Sequence, residues 1–225
     1  MVFKIILLWC VLFISSLSHG SELTPVSGTG FCINEKGYYA SAGHLAHSSL
    51  VSMRINSTQD TLTLVALDLI NDVSIWKAES PCVPLELDKV NVIGTPVAVL
   101  GFPLPTLLGE TIKLTRGHNF GHNSKSILLN VAVGGGNSGS PVIGVDGKVE
   151  GIVIARAINM PTIALSCDIE HVIKLAKTTN VVLYKPNFLS KTVSMLKSFE
   201  RHLTTILGQH NSVVQFKGLV RDDSY

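Results

Sequence analysis

The sequence predicts an all-β fold, a sandwich or a pair of barrels, followed by C-terminal helices. Between Ser27 and Ala155, short apolar runs are separated by Gly, Pro, Asn and Asp, and no helical period is sustained over ten residues. After Leu165 the apolar residues take up the spacing of a helix face. Many short strands at roughly even spacing are typical of sandwiches and barrels, whereas the later spacing is typical of amphipathic helices.

The first twenty residues differ in kind from the rest of the 225-residue chain. Lys4 precedes an almost wholly apolar run, Ile5 to Leu17, and small residues before Ser21 suit cleavage there. The run is shorter than the roughly 18 to 20 residues that span a bilayer. We therefore expect residues 1–20 to be a secretory signal peptide and the mature protein to be periplasmic or secreted, without stable membrane insertion. An uncleaved membrane anchor is the alternative.

Ten apolar runs are candidate strands, and they fall into two similar sets. A polar, proline-bearing connection from Glu79 to Asn91 separates the sets, which we place at about 26–87 and about 90–166. Asp146-Gly147 is a two-residue hairpin signal inside the second set. In chain order the runs are GTGFCIN, YYASAGH, LVSMRI, TLTLVALDL and VSIWKA, then PVAVLGF, TIKLTRG, SILLNVAV, SPVIGV and KVEGIVIA.

Helices are expected after the strands. A closing helix at 167–178, which Ser166 can cap, ends a domain that we bound at 21–180. The rest, 181–225, is expected to be a helical extension whose main helix spans 188–207 and either packs back on the body or mediates self-association. The prediction of the closing helix is based on apolar residues at i, i+3, i+4 and i+7, namely Ile169, Val172, Ile173 and Ala176.

Charge and cysteine content narrow the function classes. The 18 basic and 16 acidic residues leave a net charge of +2, which gives no reason to expect nucleic acid as a partner.

Without the signal peptide three cysteines remain, Cys32, Cys82 and Cys167, and three thiols cannot all pair. Either Cys32 and Cys82 form a bridge, or all three are small buried apolar residues, which is the interpretation we favour. No cofactor is expected.

The stretch VGGGNSGSPVIGV places Ser138 among glycines in front of a strand. A serine hydroxyl is a weak nucleophile that needs a base, and the base needs a third group to orient it. His44 at the end of the run YYASAGH and Asp72 just before the run VSIWKA are the candidates. His44 and Asp72 fall in the first strand set and Ser138 in the second, so a cleft between the two sets would bring them together.

The glycines before Ser138 have a chemical rationale. The backbone N–H groups of Gly136 and Ser138 can point at one place and stabilise an oxyanion, and loss of one such donor typically costs ~2.7 to 4 kcal/mol of barrier. A side chain at position 136 could block that turn. The pattern therefore predicts acyl transfer.

Other residues compete for these roles. Asp68 is a rival for Asp72, but it precedes the strand less directly, and His47 lies on the same turn as His44 and would point elsewhere. His118 and His122 have the i, i+4 spacing of a helical metal pair. Because glycine and asparagine surround them, we expect a loop and no metal site.

Five blocks resemble, in order, those of trypsin-like serine proteases, most closely the bacterial Deg/HtrA branch. The resemblance covers about Val26 to Ala176 and implies two packed six-stranded antiparallel barrels. It also implies that His44 is the general base, Asp72 its orienting carboxylate and Ser138 the nucleophile, with the Gly136 and Ser138 amides as the oxyanion hole. The blocks are GTGFCINEKGYYASAGHLA, DLINDVSIWK, VAVLGFPLPTLLGETIKLTRG, GGNSGSPVIGVDGKVEGIVIA and PTIALSCDIEHVIKLA.

Two departures from the Deg pattern affect what the resemblance implies. Ser140 replaces the usual second glycine, as in secreted glutamyl endopeptidases, which also contain GNSGS. The residues after Ala176 lack the strand-rich pattern of a peptide-binding PDZ module, so the resemblance is to a protease domain without one.

The resemblance also indicates a substrate pocket. The position of trypsin's pocket acid is occupied by Ala132, so cleavage after Lys or Arg is not expected. Ala132, Val133 and Ala155 suggest a modest apolar pocket for small aliphatic side chains, whereas Arg156 could instead recruit a glutamate. We thus expect a secreted or periplasmic serine endopeptidase acting on proteins or peptides. The alternative is a catalytically silent protein of the same fold that acts as a binding module.

Overall fold

The computed structural model describes residues 23–47, 50–55, 58–89, 91–186 and 213–221. The predicted signal peptide, 1–20, and the predicted helix at 188–207 lie outside these ranges, so cleavage and self-association stay predictions. Within the ranges, thirteen strands form two sheets, accompanied by two short α-helices and one 3₁₀ turn. None of the described helices is long and apolar enough to cross a membrane.

The first sheet contains seven antiparallel strands in the order β4-β3-β13-β1-β2-β6-β5. Its members are β1 (Leu23–Asn34), β2 (Tyr38–Ala42), β3 (Leu50–Ile55), β4 (Thr58–Thr61), β5 (Thr63–Asp68), β6 (Val73–Lys77) and β13 (Val213–Arg221).

The two edge strands of this sheet, β4 and β5, are joined by a single residue, the buried Leu62. Seven strands laid flat would place the edges about 29 Å apart, at ~4.8 Å per spacing. One linking residue spans at most about 7 Å between the neighbouring Cα atoms. The sheet must therefore curl until its edges meet, with β4 and β5 as two parts of one bent strand. This gives the first barrel that the sequence predicts.

The second sheet is a closed barrel of six strands in the order β10-β11-β12-β9-β8-β7. The chain is therefore a double-barrel all-β protein. The strands are β7 (Pro96–Gly101), β8 (Lys113–His122), β9 (Ile127–Asn130), β10 (Pro141–Ile143), β11 (Val149–Ala157) and β12 (Met160–Asp168).

The largest apolar cluster joins the two barrels, and each barrel also has a smaller cluster of its own. Buried Phe31, Val73 and Ile75 from the first sheet share one apolar cluster with Leu100 and Ile152 from the second. The short helix α1 (Pro105–Leu108) follows β7, and α2 (Ile169–Thr178) follows β12. Helix α2 contributes to the same cluster, so it fastens the two sheets together, as expected of the predicted closing helix.

The predicted helical extension at 181–225 is wrong in its last part. Val213–Arg221 is the strand β13, inserted between β1 and β3. Its register pairs Leu23 with Arg221 and Phe31 with Val213 along β1, and Leu50 with Leu219 along β3. Adjacent valines at 213 and 214 favour a strand, and both neighbouring strands would otherwise have unpaired backbone groups.

The cysteine interpretation that we favoured is also wrong, because Cys32 and Cys82 form a disulfide. The connection after β6 folds back over β1, and the Leu85 N–H donates to the Cys32 carbonyl. The two Cα atoms therefore lie 6.1 Å apart, within the range of a bridge. Cys167 is free and buried, as predicted for an apolar role.

Two turns differ from prediction. The β10–β11 connection has three residues, Val145 to Gly147, between the hydrogen-bonded pair Gly144 and Lys148, and not two. Gly147 takes the left-handed conformation that such a turn requires, with φ 79°. The Asp168 carboxylate, not Ser166, caps α2 by accepting the Glu170 N–H, because β12 continues through position 166.

Candidate active site

His44 and Asp72 meet at one end of the first barrel. Strand β2 ends at Ala42, and His44 lies on the 3₁₀ turn that follows, while Asp72 directly precedes β6. Because Ala42 pairs with Val73, the two side chains start next to each other. The His44 Nδ1 atom lies 2.8 Å from Asp72 Oδ2 and 3.1 Å from Oδ1, and the His44 backbone N–H donates to Oδ1 at 2.7 Å.

This pairing keeps Asp72 ionised. Burial alone would raise the pKa of the Asp72 carboxyl, but hydrogen bonds from the His44 ring and from the His44 and Gly43 N–H groups outweigh it and hold the pKa below its usual value. The residue adopts φ 55°, a left-handed conformation that is uncommon outside glycine. An acceptor-only carboxylate beside Nδ1 fixes the proton on that nitrogen and leaves Nε2 of a neutral ring free to accept another.

The loop before β10 presents Ser138, which is partly exposed, between two glycines with positive φ, Gly136 and Gly139. Three backbone N–H groups of this loop donate hydrogen bonds to carbonyl groups. Asn137 N–H donates to Gly134, Ser140 N–H to Asn137, and Gly139 N–H to Val153. Within the described part of the chain, the N–H groups of Gly136 and Ser138 have no acceptor, and the same holds for the preceding Gly134 and Gly135. Unpaired N–H groups on Ser138 and on the glycine two residues before it are what an oxyanion hole at this serine requires.

This loop packs directly against the strand that leads to His44. A β-carbon at Gly139 would lie 3.0 Å from the Ala42 nitrogen, two residues before His44. On the other side, a β-carbon at Gly28 would lie 3.2 Å from the Ser138 carbonyl oxygen and would collide with Leu45, next to His44. The missing side chains let β1, the His44 turn and the Ser138 loop approach one another at the seam of the two barrels.

The rival residues are occupied elsewhere. Asp68 accepts hydrogen bonds from the Asn71 side chain and from the backbone of Ile70 and Asn71, so it closes its own turn. His118 and His122 lie on strand β8 and not in a loop, because pairing with β9 continues to His122. Among the described residues no cluster of three or more His, Cys, Asp or Glu side chains could hold a metal ion.

The predicted substrate-binding residues differ in exposure. Ala132, Ala155 and Arg156 are exposed, the last two on β11 opposite Leu165 and Ala164 of β12. The Val133 side chain is buried in the core of the second barrel.

Sequence reasoning missed two residues that hold the Ser138 loop. The Thr29 side chain donates to the Gly136 carbonyl at 2.7 Å, and the Leu104 N–H donates to the Gly135 carbonyl at 2.6 Å. The available signal was a threonine between two glycines, directly before the apolar residues Phe31 to Ile33. Nothing in the sequence points to Leu104, which bonds through its backbone.

Comparisons with known proteins identify the family to which this chain belongs. Residues 28–152 match the family model of the trypsin-like peptidase domain, more than half of the chain. Serine protease HTRA4 from Homo sapiens is 25% identical over 210 residues, covering 83% of this chain and 44% of that protein. A probable periplasmic serine endoprotease, DegP-like, from a Marinomonas species is 28% identical over 137 residues, covering 56% and 29%.

A structural neighbour supports the fold. The active form of the Rv3671c protease from M. tuberculosis superposes with a TM-score of 0.60 at 23% identity, covering 72% of this chain and 76% of the other.

The fold and the family-model match define a trypsin-like domain of the serine endopeptidase class. The chain belongs to the trypsin-like peptidase family, and its domain is of the Deg/HtrA type. It spans 25% to 44% of the length of the curated relatives that it matches.

Proposed function

We propose that this chain is an exported serine endopeptidase that hydrolyses peptide bonds through His44, Asp72 and Ser138. The observation that carries the proposal is the pairing of His44 with Asp72 at 2.8 Å, beside a serine loop in which the Gly136 and Ser138 N–H groups are unpaired. Export is supported by the periplasmic relative and by the disulfide, which is stable in an oxidising compartment.

The mechanism follows from the properties of these groups. Ser138 Oγ attacks the scissile carbonyl carbon, and its proton passes to His44 Nε2, the ring nitrogen that faces away from Asp72. The Asp72 carboxylate stabilises the resulting imidazolium. The negative charge on the former carbonyl oxygen is stabilised by the N–H groups of Gly136 and Ser138. The imidazolium then protonates the leaving amine, and water hydrolyses the acyl-enzyme with His44 again as base.

We propose small aliphatic residues as the preferred cleavage site. Ala132 and Ala155 present short exposed side chains, whereas the Val133 side chain is buried in the second barrel and is not available to the substrate. A library of peptides should show cleavage after Ala, Val or similar residues. Dominant cleavage after Glu, lost in Arg156→Ala, would overturn this preference in favour of glutamyl specificity.

A fluorophosphonate probe tests the proposed reaction. The mature chain should be labelled and should hydrolyse peptides, and Ser138→Ala should abolish both activities while the protein stays folded. The matched control is Ser140→Ala, which changes a buried serine in the same loop and should still be labelled. A folded wild-type protein that neither reacts with the probe nor cleaves peptides would favour the binding module.

A further inference from the structure

Thr29 lies in the middle of β1 and is fully buried, yet its polar groups all reach the neighbouring barrel or strand. Its hydroxyl donates to the Gly136 carbonyl at 2.7 Å and accepts from the Phe102 N–H at 3.3 Å. Its backbone N–H donates to the Ser138 carbonyl at 2.7 Å. One residue of the first barrel therefore holds the carbonyl groups of both residues whose N–H groups form the candidate oxyanion hole.

These hydrogen bonds from Thr29, which we call the Thr29 clamp, are important because the loop before Ser138 has a flexible backbone. Three consecutive glycines, Gly134 to Gly136, precede the serine, and glycine populates positive and negative φ about equally well. The carbonyl of residue 135 and the N–H of residue 136 point in opposite directions across one trans peptide. A rotation of that peptide would therefore present a carbonyl oxygen, and not an N–H, to a developing negative charge.

Hydrogen bonds to the peptides before and after Gly136 hold the Gly136 N–H in its observed direction. Leu104 N–H holds the Gly135 carbonyl, which turns the Gly136 N–H away from Leu104. The Thr29 hydroxyl holds the Gly136 carbonyl on the next peptide. Because both flanking peptides are held, rotation about φ and ψ of Gly136 is restricted. Of the two clamps, Thr29 is the one whose bond comes from a side chain and can be removed by substitution.

We propose that Thr29 is a positioning residue for peptide hydrolysis: its hydroxyl holds the Gly136 carbonyl, on the peptide that follows the Gly136 N–H, and so limits the rotation of Gly136 that would turn this N–H away from the oxyanion. The inference rests on the proposed function, since it assigns a role within the same reaction. It predicts that the hydroxyl acts on the transition state and not on ground-state binding, because the substrate carbonyl needs both N–H groups only as its charge develops.

The test compares Thr29→Val, which is nearly isosteric and lacks the hydroxyl, with Thr29→Ser, which keeps it. We expect Val to lower kcat about tenfold or more with little change in KM, since loss of a whole oxyanion donor costs roughly 10²- to 10³-fold. Ser should retain most of the wild-type kcat. Inhibition by a peptide aldehyde, which forms a tetrahedral adduct, should weaken in Val in proportion to kcat/KM.

Melting curves accompany the kinetics, because Val also leaves the Phe102 N–H without its acceptor. The assays are made well below the lowest melting temperature, where a purely structural role would leave kcat per folded molecule unchanged. Equal kcat in the Val and Ser variants would overturn the inference.

If Val does not fold, Thr29→Ala replaces it in the comparison with Ser. Failure of both Val and Ala to fold, while Ser folds, would make the hydroxyl a determinant of folding and would also overturn the inference. An unreactive wild-type protein would instead refute the proposed function.

Discussion

Asp72 is the residue on which the geometry of His44 depends. Its carboxylate accepts from both the ring Nδ1 and the backbone N–H of His44, so it fixes the position of the turn as well as the tautomer of the ring. Asp72 should therefore be needed for turnover even though it does not touch the substrate.

Asp72→Asn gives the first prediction at this scale. An amide keeps an oxygen for the backbone N–H of His44, but it removes the charge and favours the wrong tautomer of the ring. We expect kcat to fall on the order of 10⁴-fold, as for the corresponding carboxylate of such triads. The matched control is Asp68→Asn, whose partners are Ile70 and Asn71, and it should retain near-wild-type kcat. A larger loss in the Asp68 variant would contradict the assignment.

Some residue roles were visible in the sequence and others were not. His44, Asp72 and Ser138 could be proposed because the chemistry demands particular residue types, and each lies at a strand end or in a glycine-rich loop. Thr29 and Leu104 act through long-range contacts to backbone carbonyls, which leave no periodic or compositional signal. The sequence predicts a pocket role for Val133, but its side chain is buried, because it faces inward when the second barrel closes.

At the scale of the elements, the strand content was predictable from alternation and turn residues, but element ends were not. His118 is in a strand because it pairs with both β7 and β9, and His122 because it pairs with β9. This pairing outweighs the local preference of glycine and asparagine for a loop. Likewise, Ile143 pairs with Val149, so Gly144 and Lys148 come opposite each other and form a hydrogen bond. This leaves three residues in the β10–β11 turn.

The β10–β11 hairpin also buries a carboxyl group, Glu150, which packs against Gly144, where a β-carbon would collide with it. Loss of solvation, together with the negative charges of Asp146 and Asp88, raises the pKa of Glu150 to about 7. In the unfolded chain the pKa returns to about 4.5. Between these values the folded state binds more protons than the unfolded state, so stability falls as pH rises through this window.

Glu150→Gln should remove that pH dependence. Below pH 4.5 both proteins have a neutral group at this position, whereas at pH 8 the variant avoids the burial of a charge and should be more stable than wild type by up to about 3 kcal/mol. Urea unfolding at pH 5 and pH 8 measures the difference. As a control, Glu170→Gln should not change the slope, because hydrogen bonds from Lys89 and Lys174 lower the Glu170 pKa and keep it ionised throughout. Parallel pH profiles for wild type and Glu150→Gln would refute the prediction.

At the scale of the whole molecule, the two ends of the described chain meet in one sheet. Strand β13 lies between β1 and β3, and its Gln215 is opposite Thr29 in the register. Gln215 is buried, and its side-chain amide donates to the Ser27 hydroxyl at 3.3 Å. The sequence could indicate two strand sets but not the insertion of β13 between β1 and β3. This insertion brings together residues separated by 188 positions, and it depends on β1 and β3 each having an edge free for pairing.

Removal of residues 187–225 should therefore open the first barrel next to the active site. Without β13, β1 and β3 each lose an antiparallel partner along an edge, which lowers the free energy of unfolding and promotes association between copies. We expect a lower melting temperature, concentration-dependent aggregation and loss of peptidase activity.

A synthetic peptide of residues 211–225, added in trans, should restore activity, because the slot between β1 and β3 accepts an antiparallel strand whatever its covalent connection. The matched control is the same peptide with Val214→Pro. Proline removes a backbone N–H and cannot fit in a strand that is paired on both sides, so this peptide should not restore activity. A truncated chain with wild-type melting temperature and turnover would show that the first barrel is complete without its C-terminal strand. Equal rescue by both peptides would show that the added peptide does not act as a strand.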